Sequence, residues 1–414
     1  MSDFPIAWVR AAFPALNTGD RFIFFDNGAG AQVPQLVLDA VRNHLINCNV
    51  QRGGRYRKSR EVDATIDRAR ESVAFFLNAR EPQEVAFGMN ATSFIRIVSL
   101  ALADTLTDRR EIVVSDMDHE ANVATWLALE RLGVQIRWWR MRDDGQLLTA
   151  DLEPLLNSKS RLVACTMASN ALGSIVDVKE VARLAHGAGA EVFLDAVHYA
   201  PHGPIDVQEL DCDYLVCSGY KIFAPHMGFL WGKRKALEAL PTFREDFIPN
   251  TIPLKIEVGT FVYENVAGMD AAISYLEELA MQVRSEVLPT SRRAMITSAL
   301  KAIQSYEASL CSELLAGLAQ IKRVTIYGIQ NRDRMADRVP TVCFNVEGVE
   351  PGVVSCKMAE KGFGVRDGNM YSPRLLRRLG IEEGSGAVRV SLVHYNTLSE
   401  VDRFVAELHK IAGN

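Results

Sequence analysis

Short apolar runs separated by helix-length segments dominate the first two-thirds of the chain. The candidate strands are 84–88, 111–116, 134–139, 161–166, 191–195, 213–217 and 227–232. The helical stretches between them include 92–104, 120–132, 150–157 and 177–188. This alternation is typical of a parallel sheet covered by helices on both faces, so the sequence predicts an α/β fold. Ligands of such folds bind at the carboxyl ends of the strands.

The last third of the chain follows a different pattern. It predicts a long helix at 290–321, followed by strands near 324–328, 339–347 and 387–394 and helices near 350–361 and 398–412. We therefore expect a smaller C-terminal α+β domain. The expected division is a large domain over 15–265, a small domain over 1–14 and 285–414, and a connecting helix region at 266–284. Within the large domain, segment 240–265 is poorly periodic and is predicted to be a bridging loop region.

Composition and charge exclude several classes of protein. With 414 residues, 48% apolar and 23% charged, the chain is not of a disordered, collagen-like or coiled-coil type. A net charge of −5 argues against nucleic-acid partners and against a polybasic protein surface that binds membranes. No apolar run approaches the ~20 residues of a membrane span, and no secretory signal is evident, so we expect no membrane partner and a cytoplasmic location. The seven scattered cysteines lack a CxxC pair, which indicates free thiols and no metal site.

Polar residues follow two neighbouring candidate strands. Asp195 ends one strand with His198 three residues later, and Ser218 and Lys221 follow the next strand. A desolvated lysine has a lowered pKa and forms a Schiff base with an aldehyde, while a buried carboxylate holds a protonated ring nitrogen. From spacing alone, a solvated lysine and a helix-capping aspartate remain the better interpretation.

Eight ordered segments carry a family resemblance, and they cover nearly the whole chain. They are 24–34, 49–53, 118–126, 169–175, 194–198, 217–232, 257–260 and 387–397. In them the chain resembles the class V family of pyridoxal 5'-phosphate (PLP) enzymes, and most closely the branch of cysteine desulfurases, selenocysteine lyases and isopenicillin N epimerase. The resemblance implies a PLP-dependent transferase fold of type I, with a mostly parallel sheet in its large domain, and PLP as cofactor.

The resemblance also implies roles for residues around the cofactor ring. Lys221 matches the lysine that forms the Schiff base, and Asp195 matches the carboxylate at the pyridine nitrogen. His119 matches the histidine that stacks on the ring, and Asn170 matches the asparagine near the phenolic oxygen. The positions of two other cofactor contacts hold His198 and Tyr220, which differ from many relatives but retain hydrogen-bonding groups.

A phosphate site is expected where a helix begins after the strand at 84–88. Thr92 matches a hydroxyl that contacts the phosphate, with the amides of Ala91 and Ser93 beside it. An ordinary N-cap at Asn90 or Thr92 is an alternative, and both readings are compatible. Ser218 matches a second phosphate ligand, and Thr260 matches a ligand supplied by the partner subunit, which implies a homodimer with shared active sites.

An amino-acid substrate is implied by the remaining matches. Arg389 matches the arginine that binds the α-carboxylate through a two-pronged contact, although a salt-bridged strand arginine is the alternative. Arg366, Asn27 and Ala29 are expected at the substrate end of the site.

Two segments depart from the relatives or remain ambiguous. In 365–372 the position of the persulfide-forming cysteine of desulfurases holds Tyr371, and the nearest cysteine, Cys356, precedes Arg366 by ten residues in a predicted helix. The run 51–60 carries five basic residues, which fit either an anionic substrate or a solvated loop.

We therefore expect a PLP enzyme that acts at Cα of an amino acid. The leading hypothesis is a cysteine-independent C–S or C–Se lyase. A class V aminotransferase or an amino-acid epimerase is the alternative, and a non-catalytic partner protein is the alternative of another class.

Overall fold

The computed structural model describes residues 4–283 and 290–413, in which strands and helices are labelled here in chain order. The strands are β1 Ile23–Phe24, β2 Val85–Gly88, β3 Glu111–Ser115, β4 Gln135–Trp139, β5 Ser160–Thr166, β6 Glu191–Asp195, β7 Tyr214–Ser218, β8 Gly228–Gly232, β9 Val324–Tyr327, β10 Thr341–Val346, β11 Phe363–Gly364, β12 Arg366–Gly368 and β13 Ala387–Ser391. The helices are α1 Ile6–Ala12, α2 Gln35–Cys48, α3 Arg57–Leu77, α4 Ala91–Ala103, α5 Ala121–Leu127, α6 Thr149–Leu152, α7 Val178–Gly187, α8 Val207–Leu210, α9 Arg234–Ala239, α10 Tyr263–Gln282, α11 Arg292–Ala319, α12 Pro351–Glu360, α13 Pro373–Arg378 and α14 Leu398–Ala412.

A seven-stranded sheet forms the centre of the larger part of the molecule. Its strand order is β2-β8-β7-β6-β5-β3-β4. The neighbouring pairs from β7 to β4 are parallel, whereas β8 runs antiparallel to both β7 and β2. The prediction of an α/β fold with a mostly parallel sheet is therefore confirmed.

Strand β5 shows why these strands are apolar at nearly every position. Val163 and Cys165 face one buried cluster, to which α7 also contributes. Leu162 and Ala164 face a second cluster, which they share with Phe94 of α4. Successive strand residues point to opposite faces, so a sheet covered on both sides needs apolar residues at odd and even positions alike.

A four-stranded antiparallel sheet with the order β12-β13-β10-β9 lies in the C-terminal part. Helices α11, α12 and α14 pack on it around Leu314, Val354 and Phe404. Strand β1 pairs in parallel with β11, which ties the beginning of the chain to this part of the molecule. The expected α+β arrangement is present here.

Several predicted elements differ from the observed ones. The helix expected at 150–157 ends at Leu152 and continues as a 3₁₀ turn over Glu153–Leu155, because Pro154 has no amide hydrogen to donate. The helix expected at 120–132 likewise becomes 3₁₀ after Leu127. Helices α2 and α3 were not predicted, and the basic run 51–60 is only partly a loop because α3 begins at Arg57.

The predicted bridging segment 240–265 contains no helix or strand as far as residue 262, but its last three residues belong to α10. In the described ranges, no helix combines the length and the apolar character that a membrane crossing requires.

Candidate active site

The carboxyl ends of the parallel strands form one wall of a cavity. Residues that follow β3, β5, β6 and β7 meet there, because parallel strands present these ends at the same edge of the sheet. The residues that line the cavity are Ala91, Thr92, Ile95, His119, Ala121, Thr166, Asn170, Asp195, Val197, His198, Ser218, Tyr220 and Lys221. Nine of the residues predicted at the cofactor are thus close together.

Lys221 and Asp195 are both buried in this cavity. Burial, with the nearby charge of Arg389, lowers the pKa of Lys221 to about 8. Burial raises the pKa of Asp195 to about 6, although the amide of Val197 and the charge of Lys221 oppose this rise. The Lys221 ammonium donates a hydrogen bond to the carbonyl of Gly28. The amine and the carboxyl therefore have the perturbed acidity that is common at functional sites.

The turn that carries Gly28 approaches the cavity closely. A Cβ at this position would lie 3.1 Å from both Arg389 Cζ and His198 Cε1 and 3.0 Å from Ser391 Oγ. Ala29 follows in the same turn, and its amide donates to Asp26 O at 2.9 Å. A side chain at this position would therefore require Arg389, His198 or Ser391 to shift.

Helix α4 begins at the opposite end of the cavity. Asn90 caps it, and its Oδ1 accepts from Ser93 N at 2.9 Å. The amide of Ala91 donates to Ser218 Oγ at 3.1 Å. No hydrogen-bond acceptor for the amide of Thr92 is found in the described part of the chain. Ser93 belongs to this cap but does not line the cavity.

This helix terminus has the properties of an anion site. The α4 dipole and the amide of Thr92 point to it, and Ser218 Oγ retains its hydroxyl proton for donation because it accepts from Ala91. Strand β8 passes close by, since a Cβ on Gly228 would lie 2.6 Å from the backbone of Asn90.

His119 lies at the rim of the cavity in a defined orientation. Its Nδ1 accepts from Ala121 N at 3.1 Å, so any proton of the neutral ring is on Nε2. Burial and the charges of Lys221 and Arg389 lower the pKa of His119 to about 4. The ring is therefore neutral near pH 7 and presents an uncharged face.

Asn170 connects the cavity to the loop that joins β12 to α13. Its Nδ2 donates to Met370 O at 2.7 Å. Its Oδ1 accepts from Ser372 Oγ at 3.0 Å. An amide nitrogen carries two hydrogens, so one of them remains for a ligand in the cavity.

His198 and Tyr220 occupy the two positions at which the chain was expected to differ from its relatives. His198 Nε2 lies 2.9 Å from Thr341 Oγ1, and burial keeps the pKa of His198 well below its usual value. The ring of Tyr220 stacks on His226 with centroids 5.0 Å apart. Both residues line the cavity.

Arg389 and Arg366 lie beside the cavity and share one carboxylate. Arg389 Nη2 is 2.8 Å from Asp26 Oδ1, and its Nη1 donates to Asn170 O at 2.8 Å. Arg366 Nη2 is 2.7 Å from Asp26 Oδ2. Arg389 Nε is buried and has no hydrogen-bond partner in the described part of the chain. A donor remains for a further acceptor.

Two predicted residues lie outside the cavity and are engaged elsewhere. The amide of Asn27 donates to Phe24 O at 2.7 Å and to Ser391 O at 2.9 Å, and its oxygen accepts from Tyr395. Thr260 is exposed and accepts from Gln51 Nε2 at 2.7 Å. One chain alone therefore does not bring Thr260 to the phosphate end of the site.

The basic run 51–60 makes ion pairs away from the cavity. Arg52 lies 3.3 Å from the buried Glu257. Arg57 and Lys58 pair with Glu61 at 2.6 and 2.9 Å. Three of the five basic residues in this run are therefore engaged by carboxylates of the same chain.

The sequence interpretation missed two acidic residues. Asp26 holds both arginines, but its pairing across 363 residues leaves no local pattern. Asp118 is buried near Asp195, and burial raises its pKa to about 7. The second residue had a usable signal, because it follows the strand β3 at the same sheet edge as Asp195.

The residues present fit PLP. The α4 terminus with Ser218 suits a phosphate, and the cavity joins this terminus to a buried lysine. Asp195 uses Oδ1 to accept from Val197 N at 2.9 Å, while Oδ2 has no partner in the described ranges. A carboxylate oxygen thus remains for a pyridine nitrogen.

Solved structures with this architecture give the class of the protein. A cysteine desulfurase from Thermococcus onnurineus NA1 matches with a TM-score of 0.88 and 26% identity, over 99% of this chain and 98% of that one. The cysteine desulfurase CsdA from Escherichia coli matches with a TM-score of 0.84 and 27% identity, over 98% of each chain. The protein is a PLP-dependent enzyme with the fold type I architecture.

Its family follows from the sequence as a whole. Residues 23–404 match the aminotransferase class-V family, and the chain belongs to it. A probable cysteine desulfurase of Synechocystis sp. is 33% identical over 97% of this chain and 94% of its own length. The aminotransferase-like protein FGM3 of Gibberella zeae is 36% identical over 99% of each.

Proposed function

We propose that this enzyme cleaves the bond between carbon and sulfur or selenium in an amino acid, without a thiol nucleophile of its own. When bound, PLP supplies an electron sink for negative charge at Cα. The observation that carries the proposal is the position of Lys221, which is buried beside Asp195 at the floor of the cavity. Lys221 would hold the cofactor through Nζ, and Asp195 would hold the proton on the pyridine nitrogen.

Lys221 is suited to move the proton at Cα. A pKa of about 8 makes its amine a base of useful strength near neutral pH. The neutral His119 offers a flat face on which a ring can stack. Thr92 would bind the phosphate through its hydroxyl and its amide, and Ser218 would bind it through the hydroxyl that the amide of Ala91 orients.

Arg389 would bind the α-carboxylate of the substrate. Its buried Nε has no partner, and binding by this donor with the nearby Arg366 would orient Cα toward Lys221. Ala29 and Asn27 shape the neighbouring turn at this end of the site.

The positions of the thiols support a mechanism without cysteine. Five of the seven cysteines are buried, Cys48 is half-buried, and none lines the cavity. Cys356 is exposed on α12, and Tyr371 lies at the rim next to His119. Elimination of a sulfur or selenium substituent would need the electron sink that PLP supplies, a base that removes the Cα proton and a proton for the departing sulfur or selenium, but no thiol nucleophile.

The proposal includes a homodimer that shares its active sites. Leu38, Leu45 and Ile46 of α2 are exposed by 43, 44 and 67% and border an apolar groove that His226 closes. His226 stacks on Tyr220, so a second copy seated on this groove would reach the rim of the cavity. We expect Ile46→Asp to give a monomer in light scattering with weaker cofactor retention, whereas Leu132→Asp on another face should remain dimeric.

The reaction is tested by incubating the enzyme with L-cysteine and L-selenocysteine and with other amino acids. We expect sulfide from L-cysteine, or selenide from L-selenocysteine, to form together with the remaining carbon skeleton of the amino acid. Neither product should form with Lys221→Ala. Oxo acid without sulfide would favour the aminotransferase, which the FGM3 likeness also suggests. The inverted amino acid would favour the epimerase. A protein that binds no PLP and turns over nothing would be the non-catalytic partner.

A further inference from the structure

The loop that joins β12 to α13 contains two consecutive left-handed residues. Met370 has a φ of 54° and Tyr371 a φ of 57°. Left-handed backbone is unfavourable for residues with a Cβ, and two in succession must be held by their surroundings. Strain of this kind is concentrated at active sites and ligand clamps.

Contacts from both sides of the cavity hold this turn. Asn170 Nδ2 donates to Met370 O at 2.7 Å, and Glu120 N donates to Tyr371 O at 2.8 Å. Within the loop itself, Tyr371 N donates to Asn369 Oδ1 at 3.0 Å. Arg374 also pairs with Glu120. The backbone of Tyr371 is therefore fixed relative to His119, which immediately precedes Glu120.

The side chain of Tyr371 is not used for packing. It is 58% exposed, whereas Met370 is buried. Its ring lies 5.7 Å from the ring of His119, centroid to centroid, at an interplanar angle of 38°. The hydrogen bond to Asp26 is the main reason that the pKa of Arg366 is raised, and burial is the main reason that the pKa of Tyr220 is raised; the nearby phenol of Tyr371 adds a smaller contribution to both. The ring thus lies beside His119 at the rim of the cavity.

We propose that Tyr371 is a specificity-determining residue whose phenol donates a hydrogen bond to the side chain of the bound amino acid. The proposal rests on the proposed function, because it needs a substrate held at Arg389 and Lys221. The preferred substrate then carries a hydrogen-bond acceptor on its β-substituent.

The charges around the mouth favour the same class of side chain. Asp26 is the carboxylate between the two arginines, and both oxygens of Asp26 already accept from them. Arg366 is partly exposed and adds donors beside the phenol. An apolar substituent at this place would offer no acceptor to the donors of Tyr371 and Arg366 and would forgo the hydrogen bonds that a polar substituent could form.

The test uses two probes of similar shape in spectral titrations of the PLP-loaded enzyme. L-aspartate carries acceptors on its β-substituent, and L-leucine carries methyl groups. We expect the wild type to bind aspartate more tightly, and Tyr371→Phe to weaken aspartate binding about tenfold with less than a twofold change for leucine. Tyr327→Phe, which removes a phenol hydroxyl from β9, should change neither.

A second variant separates the phenol from the turn. Tyr371→Gly removes the strain of a left-handed side chain, so we expect a higher melting temperature together with the same loss of aspartate binding. Equal binding of the two probes by the wild type, or equal effects of Tyr371→Phe on both, would overturn the proposal. A protein that shows no visible band of bound cofactor would instead overturn the proposed function.

Discussion

The guanidinium of Arg389 lies against the carboxylate of Asp26, with Nη2 2.8 Å from Oδ1. Arg366 pairs with the other oxygen at 2.7 Å. One carboxylate therefore balances only one of two guanidinium charges, and the substrate end of the site keeps a net positive charge beside Lys221. This arrangement suits a carboxylate ligand, and it also holds Arg389 in place before the ligand binds.

Arg389→Lys should raise KM much more than it weakens cofactor binding. The lysine keeps a charge for Asp26 but loses the planar fork, so we expect kcat/KM to fall roughly 100-fold, or about 2–4 kcal/mol. Steady-state kinetics and the visible band of the cofactor measure the two effects. Arg378→Lys, at an exposed ion pair with Asp143, is the control. Loss of PLP with an unchanged KM would show that the carboxylate binds elsewhere.

Lys221→Ala should lose both covalent attachment of PLP and turnover. No other lysine lines the cavity, so borohydride reduction of the wild type should label this residue alone in peptide mass spectrometry. Lys179→Ala, which removes a surface ion pair with Glu209, should behave as the wild type does. A reducible link that survives in Lys221→Ala would identify another anchor.

Asp195→Asn should stabilise the protein once the cofactor has been removed. Burial raises the pKa of Asp195 to about 6. The folded state therefore binds more protons than the unfolded state between about pH 4 and 6, and stability falls as the pH rises through this window. The amide of Asp195→Asn does not titrate, so this variant does not lose stability in this window. We expect its free energy of unfolding to exceed that of the wild type by about 2–3 kcal/mol at pH 7.5, and the difference to disappear near pH 4.

Denaturant unfolding of the cofactor-free proteins across this range measures the effect of Asp195→Asn. Asp143→Asn, at a side chain that is 89% exposed, should leave the profile unchanged. Parallel pH profiles for the wild type and Asp195→Asn would show that Asp195 is not the titrating group.

Cys356→Ser and alkylation of accessible thiols should leave turnover within about twofold of the wild type. The reason is geometric, because no cysteine lines the cavity and the thiol of Cys48 is half-buried against Glu61. Kinetic assays before and after alkylation, with peptide mapping of the label, test this. Inactivation that substrate prevents, mapped to a single cysteine, would revive a persulfide mechanism.

Thr260→Ala should loosen PLP with a smaller effect on substrate binding. If its hydroxyl reaches the phosphate of the partner subunit, the loss of one hydrogen bond to a charged group amounts to about 1.5–3 kcal/mol, or at least tenfold in the Kd for PLP. Thr260→Ser keeps the hydroxyl and should retain near-normal affinity. Unchanged affinity in Thr260→Ala would remove Thr260 from the phosphate site, and equilibrium dialysis of PLP distinguishes these results.

Much of the fold and the centre of the site could be predicted from local sequence. Strands that are apolar at nearly every position are predicted to be buried on both faces. Asp195 and Lys221 follow two such strands, and the topology of a parallel sheet brings the ends of these strands to one edge. Asn90 and the polar turn after β2 likewise predict the start of α4. These features depend on neighbouring residues, so a short window of sequence contains them.

Only the tertiary structure decided which distant groups meet. Asp26 and Arg389 are 363 residues apart, and Asn170 reaches Met370 across 200 residues. The left-handed turn at Met370 and Tyr371 likewise depends on distant contacts from Asn170 and Glu120, in addition to the local hydrogen bond to Asn369. The sequence by itself determined the sheet and the helix cap, because both follow from local patterns, whereas the roles expected of Lys221 and Asp195 came from the resemblance to a family. The substrate end of the site could be described only from the folded chain. Its paired charges and its strained turn are stable only when residues from distant parts of the sequence pack together.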